Sequence, residues 1–162
     1  MFEKQGNRPA RDEAIGILIG AVRRRIKQTT GRQLRGTGLS PQQFWTLMAI
    51  HDEAGCSLRS LCERRWIDAP TASRVVATLA AKRLVRVGGD SADRRRCRLE
   101  LTSSGHALAE RLLPLLDAQR ATLVRGLSAS EHQSLRALLH RLIDNLAPRR
   151  ARRQRPRLVA AP

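Results

Sequence analysis

Long apolar runs and paired cysteines are both missing from this chain of 162 residues. Hydrophobic residues make up 41% and charged residues 28%, which is typical of globular proteins, and no run is long enough to cross a membrane as a helix. The cysteines, Cys56, Cys62 and Cys97, form an odd set without a Cys-x-x-Cys pair. This pattern excludes a disulfide framework and a tetrahedral zinc site, and it predicts reduced, buried thiols. A redox switch at Cys62 or Cys97 is the alternative.

The chain also lacks the motifs of catalysis and of export. Its histidines, His51, His106, His132 and His140, have no metal-ligand spacing, and there is no nucleophile elbow, phosphate-binding glycine loop or dinucleotide fingerprint. We therefore expect no enzyme, no metal and no cofactor. Residues 1–14 carry scattered charges instead of the apolar core of a signal peptide, so we expect a bacterial-type cytoplasmic or nucleoid location.

Acidic residues and lysines are scarce beside arginine. Lysine and arginine together number 31 against 14 aspartates and glutamates, a net charge of +17, and the only lysines are Lys4, Lys27 and Lys82. Because the planar guanidinium binds phosphate and guanine edges through paired hydrogen bonds, the composition predicts a nucleic acid as partner. Two alternatives remain. The arginines could reflect a compositional bias and only solvate the surface, or the protein could be a nonspecific architectural or RNA-binding protein.

Helical periodicity and helix-start signals divide the first half of the chain into four helices. Apolar residues recur every three or four positions between residues 13 and 34. A capping box at Ser40 begins a second helix, from about Pro41 to Glu53, and Ser57 caps a short third helix. Asp68 and Pro70 signal a fourth helix, over about 70–83, with an apolar stripe of Ala72, Val75, Val76 and Leu79.

The second half begins with a change from helical to alternating period. Segments 84–87 and 96–101 alternate like strands around a glycine-containing loop, residues 88–93. A fifth helix opens at Thr102 or Ser103, contains Pro114, where we expect a kink, and ends near Gly126. A second capping box, at residues 128–131, opens an amphipathic sixth helix. The tail at 148–162 has six arginines and no acidic residue, which predicts a disordered basic segment.

Helices followed by a two-stranded hairpin predict a mainly α, winged helix-turn-helix protein. Its partner would be double-stranded DNA, whose major groove the last helix before the hairpin enters. Small side chains on the outer face of that helix would allow close approach to base edges, although an ordinary surface helix is the alternative. Arginines at the hairpin tip fit a narrow minor groove. Asp93 either orients one of these arginines or forms a hydrogen bond with the backbone of its own turn. The outward residues of the helix are Thr71, Ser73, Arg74, Ala77 and Thr78, and the tip holds Arg94, Arg95 and Arg96.

Three segments resemble the MarR family of bacterial winged-helix regulators: LSPQQFWTLMAI at 39–50, DAPTASRVVATLAAKRLVRV at 68–87 and DSADRRRCRLELTSSG at 90–105. The resemblance implies one domain over residues 1–147, with the winged helix at about 39–102 and dimerisation helices at about 12–35 and 103–147. It further implies a homodimeric regulator, commonly a repressor, that reads a near-palindromic site. By the same resemblance, Thr71, Ser73 and Arg74 fall on recognition positions, Asp93 on the wing aspartate, and Arg95, accompanied by Arg94, on the minor-groove arginine.

The sequence indicates a dimer independently, because helices at both ends have apolar stripes outside the winged unit that a second copy would cover. Packing of those helices within one chain is the alternative. The resemblance also implies a small aromatic effector in a crevice between the dimerisation and DNA-binding parts. Phe44 or Trp45 could line that crevice, or be ordinary core. Arg65-Trp66 departs from the family, many of whose members have an apolar residue and glycine before the recognition helix.

Overall fold

The computed structural model describes residues 14–89 and 97–146, which form six helices and three short strands. The chain divides into two compact units, Met1–Asp117 and Ala118–Pro162. The predicted division into winged-helix and dimerisation regions stays a prediction. The elements are α1 (Ile15–Gln33), α2 (Pro41–Asp52), β1 (Cys56–Ser57), α3 (Leu58–Arg65), α4 (Ala69–Ala81), β2 (Val85–Gly89), β3 (Cys97–Leu101), α5 (Ser103–Leu123) and α6 (Ala129–Leu146).

The helix starts follow the predicted capping signals. The Ser40 side chain accepts a hydrogen bond from the Gln43 backbone N–H at 3.2 Å, while the Gln43 side chain accepts from the Ser40 N–H at 2.9 Å. The same reciprocal pair joins Ser128 and Glu131 at the start of α6. Ser57 caps α3 through the N–H of residue 60. These bonds satisfy backbone donors that the first helical turn leaves without partners, which is why short-range sequence signals locate these ends well.

The core of the first unit is built from α2, α3, α4, the sheet and the part of α5 that contains Ala109 and Leu112. Phe44, Leu47 and Ile50 of α2 have at most 1% of their surface exposed, and Leu61 of α3 is buried completely. The stripe predicted for α4 is confirmed, since all four of its apolar residues are buried. Burial of that stripe fixes which face of α4 is turned to solvent.

The predicted hairpin is confirmed, and it belongs to a sheet with one more strand than the sequence indicated. The strand order is β1-β3-β2, and both pairings are antiparallel. β1 has only two residues, too few for an alternating pattern, and it pairs with Leu99 and Arg98. Gly88 and Gly89 were expected in the loop but extend β2, because their backbones pair with Arg98 and Cys97. Glycine accepts extended geometry, so cross-strand hydrogen bonding outweighs its low strand propensity here.

The junction of α4, β2 and α5 is held by a small set of backbone contacts. Two residues after α4 ends at Ala81, Arg83 adopts the left-handed conformation (φ 56°), and the N–H of Leu84 donates to the Leu79 carbonyl at 3.0 Å. The Thr102 hydroxyl donates to the Arg83 carbonyl at 2.7 Å and accepts from the Gly105 N–H at 3.0 Å. The Leu-Thr-x-x-Gly end of the hairpin motif therefore ties α5 to the end of α4.

Apolar side chains remain exposed on α1 of the first unit and, separately, on α6 of the second. On α1, Ile15, Leu18 and Val22 are 50–60% exposed, whereas Leu34 just beyond the helix is buried. On α6, Leu135, Leu138 and Leu146 are 44–86% exposed. Pro114 lies inside α5, and the kink expected there stays a prediction. No helix within the described ranges is long and apolar enough to cross a membrane.

Candidate nucleic-acid interface

α3 and α4 form a helix-turn-helix, and both pack against α2. The turn begins at Trp66, which has left-handed backbone angles (φ 52°, ψ 43°), and the next N–H, of Ile67, donates to the Cys62 carbonyl at 3.2 Å. Glycine adopts this conformation at a lower energetic cost than any other residue. Trp66 therefore occupies a position in the turn that suits glycine. Its large side chain is 47% exposed.

The outer face of α4 carries the residues predicted to read DNA. Ser73, Arg74, Ala77 and Thr78 are exposed, and Thr71 is half-buried at the start of the helix. Arg74 is the one charged side chain among them, and its Nε lies 3.4 Å from the Pro70 carbonyl. Small side chains around a single guanidinium leave a shallow surface that can approach base edges.

Asp68 is a functional candidate that sequence reasoning identified only as a helix start. Its carboxylate accepts two hydrogen bonds from Thr71, one from the backbone N–H at 2.8 Å and one from the hydroxyl at 2.9 Å. These bonds, the backbone bond first, lower the pKa of the Asp68 carboxyl. The signal for it was present in the sequence, because an aspartate three residues before a threonine at a helix start places both groups together.

The wing is described at its base only. β2 and β3 pair along five residues each, and the exposed Arg86 forms an ion pair with Glu100 across them. Asp93, Arg94 and Arg95 lie outside the described residues, so their predicted roles stay predictions. Val87 in β2 is 49% exposed, and the arginine-rich tip segment follows β2 in the sequence.

Phe44 and Trp45, the predicted effector residues, lie in different surroundings. Phe44 is fully buried in the core, whereas Trp45 is half-buried and packs against that core. The guanidinium carbon of Arg65 lies 5.7 Å from the Trp45 ring centroid, which is cation–π distance. Burial, and then the nearby Arg64, lower the pKa of Arg65. Within the described part of the chain, Arg64 pairs with Glu53, but no carboxylate forms a salt bridge with Arg65.

The two cysteines whose side chains are described are free thiols. Cys56 is buried and Cys62 half-buried. Burial is the largest cause that raises the pKa of each thiol, with Glu53 adding to it at Cys56 and Asp68 at Cys62. A raised pKa keeps the group as the unreactive thiol, in line with the predicted packing role.

A three-helix unit that ends in an exposed, small-residue helix and continues into an antiparallel hairpin defines a winged helix-turn-helix DNA-binding protein. Comparison with known proteins identifies the family. The MarR family profile matches residues 37–96. The HTH-type transcriptional repressor NicR of Pseudomonas putida is 30% identical over 133 residues, which cover 82% of this chain and 84% of NicR. The chain belongs to the MarR family.

Solved structures agree with this assignment. BpsR of Bordetella bronchiseptica, whose DNA binding is regulated by 6-hydroxynicotinic acid, has a TM-score of 0.74 and 28% identity, covering 85% of this chain and 98% of BpsR. MepR of S. aureus, solved in complex with DNA, has a TM-score of 0.73 and 25% identity, covering 82% and 98%. These relatives confirm the predicted family and fold. NicR is a transcriptional repressor, and MepR binds DNA.

Proposed function

We propose that this protein is a homodimeric transcriptional repressor that binds a near-palindromic DNA site. In this proposal α4 lies in the major groove of each half-site and the tip of the β2–β3 hairpin lies in the adjacent minor groove. The observation that carries the proposal is the outer face of α4, where Ser73, Arg74 and Thr78 are exposed on a helix whose opposite face is buried. A rigidly packed helix presents these side chains to base edges in fixed positions.

The wing supplies the second contact in this proposal. Arg94 and Arg95 would enter the minor groove, whose negative potential attracts guanidinium where the groove is narrow. Asp93 would hold one of these arginines in place through a charge-assisted hydrogen bond. Support comes from the confirmed hairpin, whose paired strands lead into the arginine-containing segment, and from the family motif in which these residues stand.

Dimerisation would place the two copies of α4 on successive turns of the DNA. The support is the exposed apolar surface described above for α1 and, separately, for α6. Monomeric proteins seldom leave such stripes uncovered, and a two-fold axis lets the same stripe cover itself. Half-sites about one helical turn apart, roughly 10 base pairs, follow from that symmetry.

An aromatic carboxylic acid is the effector class we propose for release from DNA. Trp45 offers a ring for stacking, and Arg65 beside it is a partly desolvated cation without a carboxylate partner in the described ranges. A ligand carboxylate would compensate that charge through a charge-assisted hydrogen bond. Support also comes from BpsR, whose DNA binding is regulated by 6-hydroxynicotinic acid. Phe44 would contribute only as the core layer beneath Trp45.

The effector proposal is tested by thermal shift with nicotinate and hydroxynicotinates. A ligand at about 100 times its Kd should stabilise the protein by about 2.7 kcal/mol. Arg65→Gln should abolish the shift, whereas Arg59→Gln, an exposed residue of α3 that pairs with Glu63, should retain it. Equal shifts in wild type and Arg65→Gln would exclude this binding site.

The DNA-binding proposal is tested by selecting sites from a random DNA library and titrating Arg74→Ala against the selected site and random DNA. Loss of a base-contacting arginine should cost about 1–3 kcal/mol on the selected site, and much less on random DNA. Arg59→Ala removes an equal charge from an exposed face of α3 and serves as control. Equal losses on both DNAs would limit Arg74 to phosphate contact. Failure to enrich any sequence would favour the nonspecific architectural or RNA-binding alternative.

A further inference from the structure

We infer that Asp68 is a positioning residue that sets the hydrogen-bonding polarity of the DNA-reading face. Asp68 accepts a hydrogen bond from the Thr71 hydroxyl. The Thr71 side chain is then left with acceptor lone pairs alone, so it selects base edges that donate. This inference rests on the proposed function, because it assumes that α4 lies in the major groove. It concerns which bases are preferred, a property that the fold and the family do not specify.

The geometry at Thr71 leaves one assignment of the hydroxyl proton. Thr71 Oγ1 lies 2.9 Å from Asp68 Oδ2, and Asp68 Oδ1 accepts from the Thr71 N–H at 2.8 Å. An ionised carboxylate can only accept hydrogen bonds, so the hydroxyl must be the donor. The lowered pKa of Asp68 keeps the carboxyl ionised at neutral pH. The lone pairs of Thr71 Oγ1 are then the only hydrogen-bonding groups that its side chain can offer to DNA.

Thr78 has the same polarity by a different route. Its hydroxyl donates to the Arg74 carbonyl at 2.9 Å, and a carbonyl oxygen cannot return a proton. Ser73 differs from both, since it is exposed and its side chain has no hydrogen bond within the described ranges. Ser73 can therefore donate or accept. The outer face of α4 thus combines two acceptor hydroxyls with one ambivalent hydroxyl and the donor groups of Arg74.

The base edges of the major groove differ in whether they present a hydrogen-bond donor. Adenine and cytosine each present an amino group that donates, adenine beside its acceptor N7, whereas guanine presents only the acceptors N7 and O6 and thymine only the acceptor O4. An acceptor placed against an acceptor leaves both groups unpaired and desolvated. At the base that Thr71 contacts, we expect adenine or cytosine to be preferred over guanine and thymine by roughly tenfold. Arg74, as a donor, has the opposite preference and suits guanine.

Asp68→Asn separates this role from helix capping. Asparagine caps helices about as well as aspartate, so α4 should keep its first turn. The amide oxygen can still accept from the Thr71 N–H, but the amide nitrogen then faces the Thr71 hydroxyl as a donor. The Thr71 hydroxyl then accepts from the amide and no longer donates to residue 68, so it can donate a hydrogen bond to guanine or thymine.

The experiment is site selection from a random library with wild type, Asp68→Asn, Thr71→Val and Thr71→Ser, followed by titration of single-base variants. Thr71→Val lacks the hydroxyl, and it identifies the contacted position as the one whose preference disappears. We expect adenine or cytosine there for wild type and Thr71→Ser, and a preference weakened roughly tenfold in Asp68→Asn. Circular dichroism of the four proteins should show equal helix content.

Each outcome decides between explanations. Guanine or thymine at that position in wild type, or an unchanged base profile in Asp68→Asn, would overturn the inference while leaving site-specific binding intact. A uniform gain of affinity for all DNAs in Asp68→Asn, with the same profile, would show that Asp68 acts only through its charge. If wild type enriches no sequence, the proposed function fails, and this inference fails with it.

Discussion

Gly105 provides a direct test of the packing that joins the DNA-reading helix to the hairpin. It lies in the first turn of α5, where its Cα approaches the backbone that connects α4 to β2. A Cβ added there would lie 2.0 Å from the Leu84 carbonyl oxygen, 3.0 Å from the Leu84 carbonyl carbon and 3.3 Å from Leu101 Cβ. The nearest contact is with backbone, so no side-chain rotation can relieve it.

The cost of Gly105→Ala follows from this geometry. Close carbon–oxygen contacts in proteins are about 3.3–3.6 Å, so either α5 or the Leu84 peptide must move by more than about 1 Å. Forced overpacking of this kind costs about 1–3 kcal/mol. The movement also disturbs the bonds from Thr102 N–H to the Leu84 carbonyl, 3.1 Å, and from Gly105 N–H to Thr102 Oγ1, 3.0 Å. At about 1 kcal/mol each, these bring the expected loss to about 3–5 kcal/mol.

Equilibrium unfolding in urea, followed by circular dichroism at one fixed protein concentration, measures this loss. Gly88→Ala is the matched control, because Gly88 lies in β2 and a Cβ there meets nothing within 4 Å. The control should be neutral or more stable by about 0.5–1 kcal/mol, as alanine is favoured over glycine in a strand. If Gly105→Ala loses less than about 1 kcal/mol, the close approach of α5 to Leu84 is wrong.

Three further predictions concern separate parts of the chain. Arg83→Gly should stabilise the protein by up to about 1 kcal/mol in the same urea assay, because Arg83 has φ 56° and glycine adopts this conformation without strain; a loss of stability would contradict the left-handed cap. Because the pKa of Asp68 is lowered in the folded protein, its carboxylate stabilises the fold above the unfolded pKa of about 4. This stabilisation is lost as the pH falls through the folded pKa, so the Asp68→Asn variant should lose less stability on acidification than wild type does. Truncation after Ala147 removes six arginines and should reduce the slope of log K against log salt by about 0.9 for each phosphate that the tail neutralises. The footprint on DNA should not change. An identical slope would show that the tail neutralises no phosphates.

The parts of the fold that the sequence predicts correctly are those specified over short distances. The capping boxes at Ser40 and Ser128, and the apolar stripe of α4, each depend on residues three or four positions apart, and each has the predicted structure. β1 could not be predicted, because two residues carry no periodic signal and their conformation depends on pairing with β3. Gly88 and Gly89 are strand for the same reason, since their partners lie across the hairpin.

For the candidate site too, the sequence predicts what depends on nearby residues and not what depends on the exact position of atoms. Residue type and face were enough to select Ser73, Arg74 and Thr78, which the structure places together on the exposed side of α4. The sequence spacing brings Asp68 and Thr71 together, but the direction of the hydroxyl proton depends on which atom lies within about 3 Å, and residue type does not specify that atom. Trp66 departs from the glycine that many family members have in this turn, but residue type alone does not specify its left-handed conformation.

Hydroxyl-radical footprinting of the full-length protein on its selected DNA site tests the central claim most directly. A homodimer with α4 in the major groove should protect two symmetry-related half-sites whose centres lie about 10 base pairs apart, with added minor-groove protection at the outer flanks from the two wings. One isolated half-site, or uniform protection that follows the DNA regardless of sequence, would contradict site-specific binding by a symmetric winged-helix dimer.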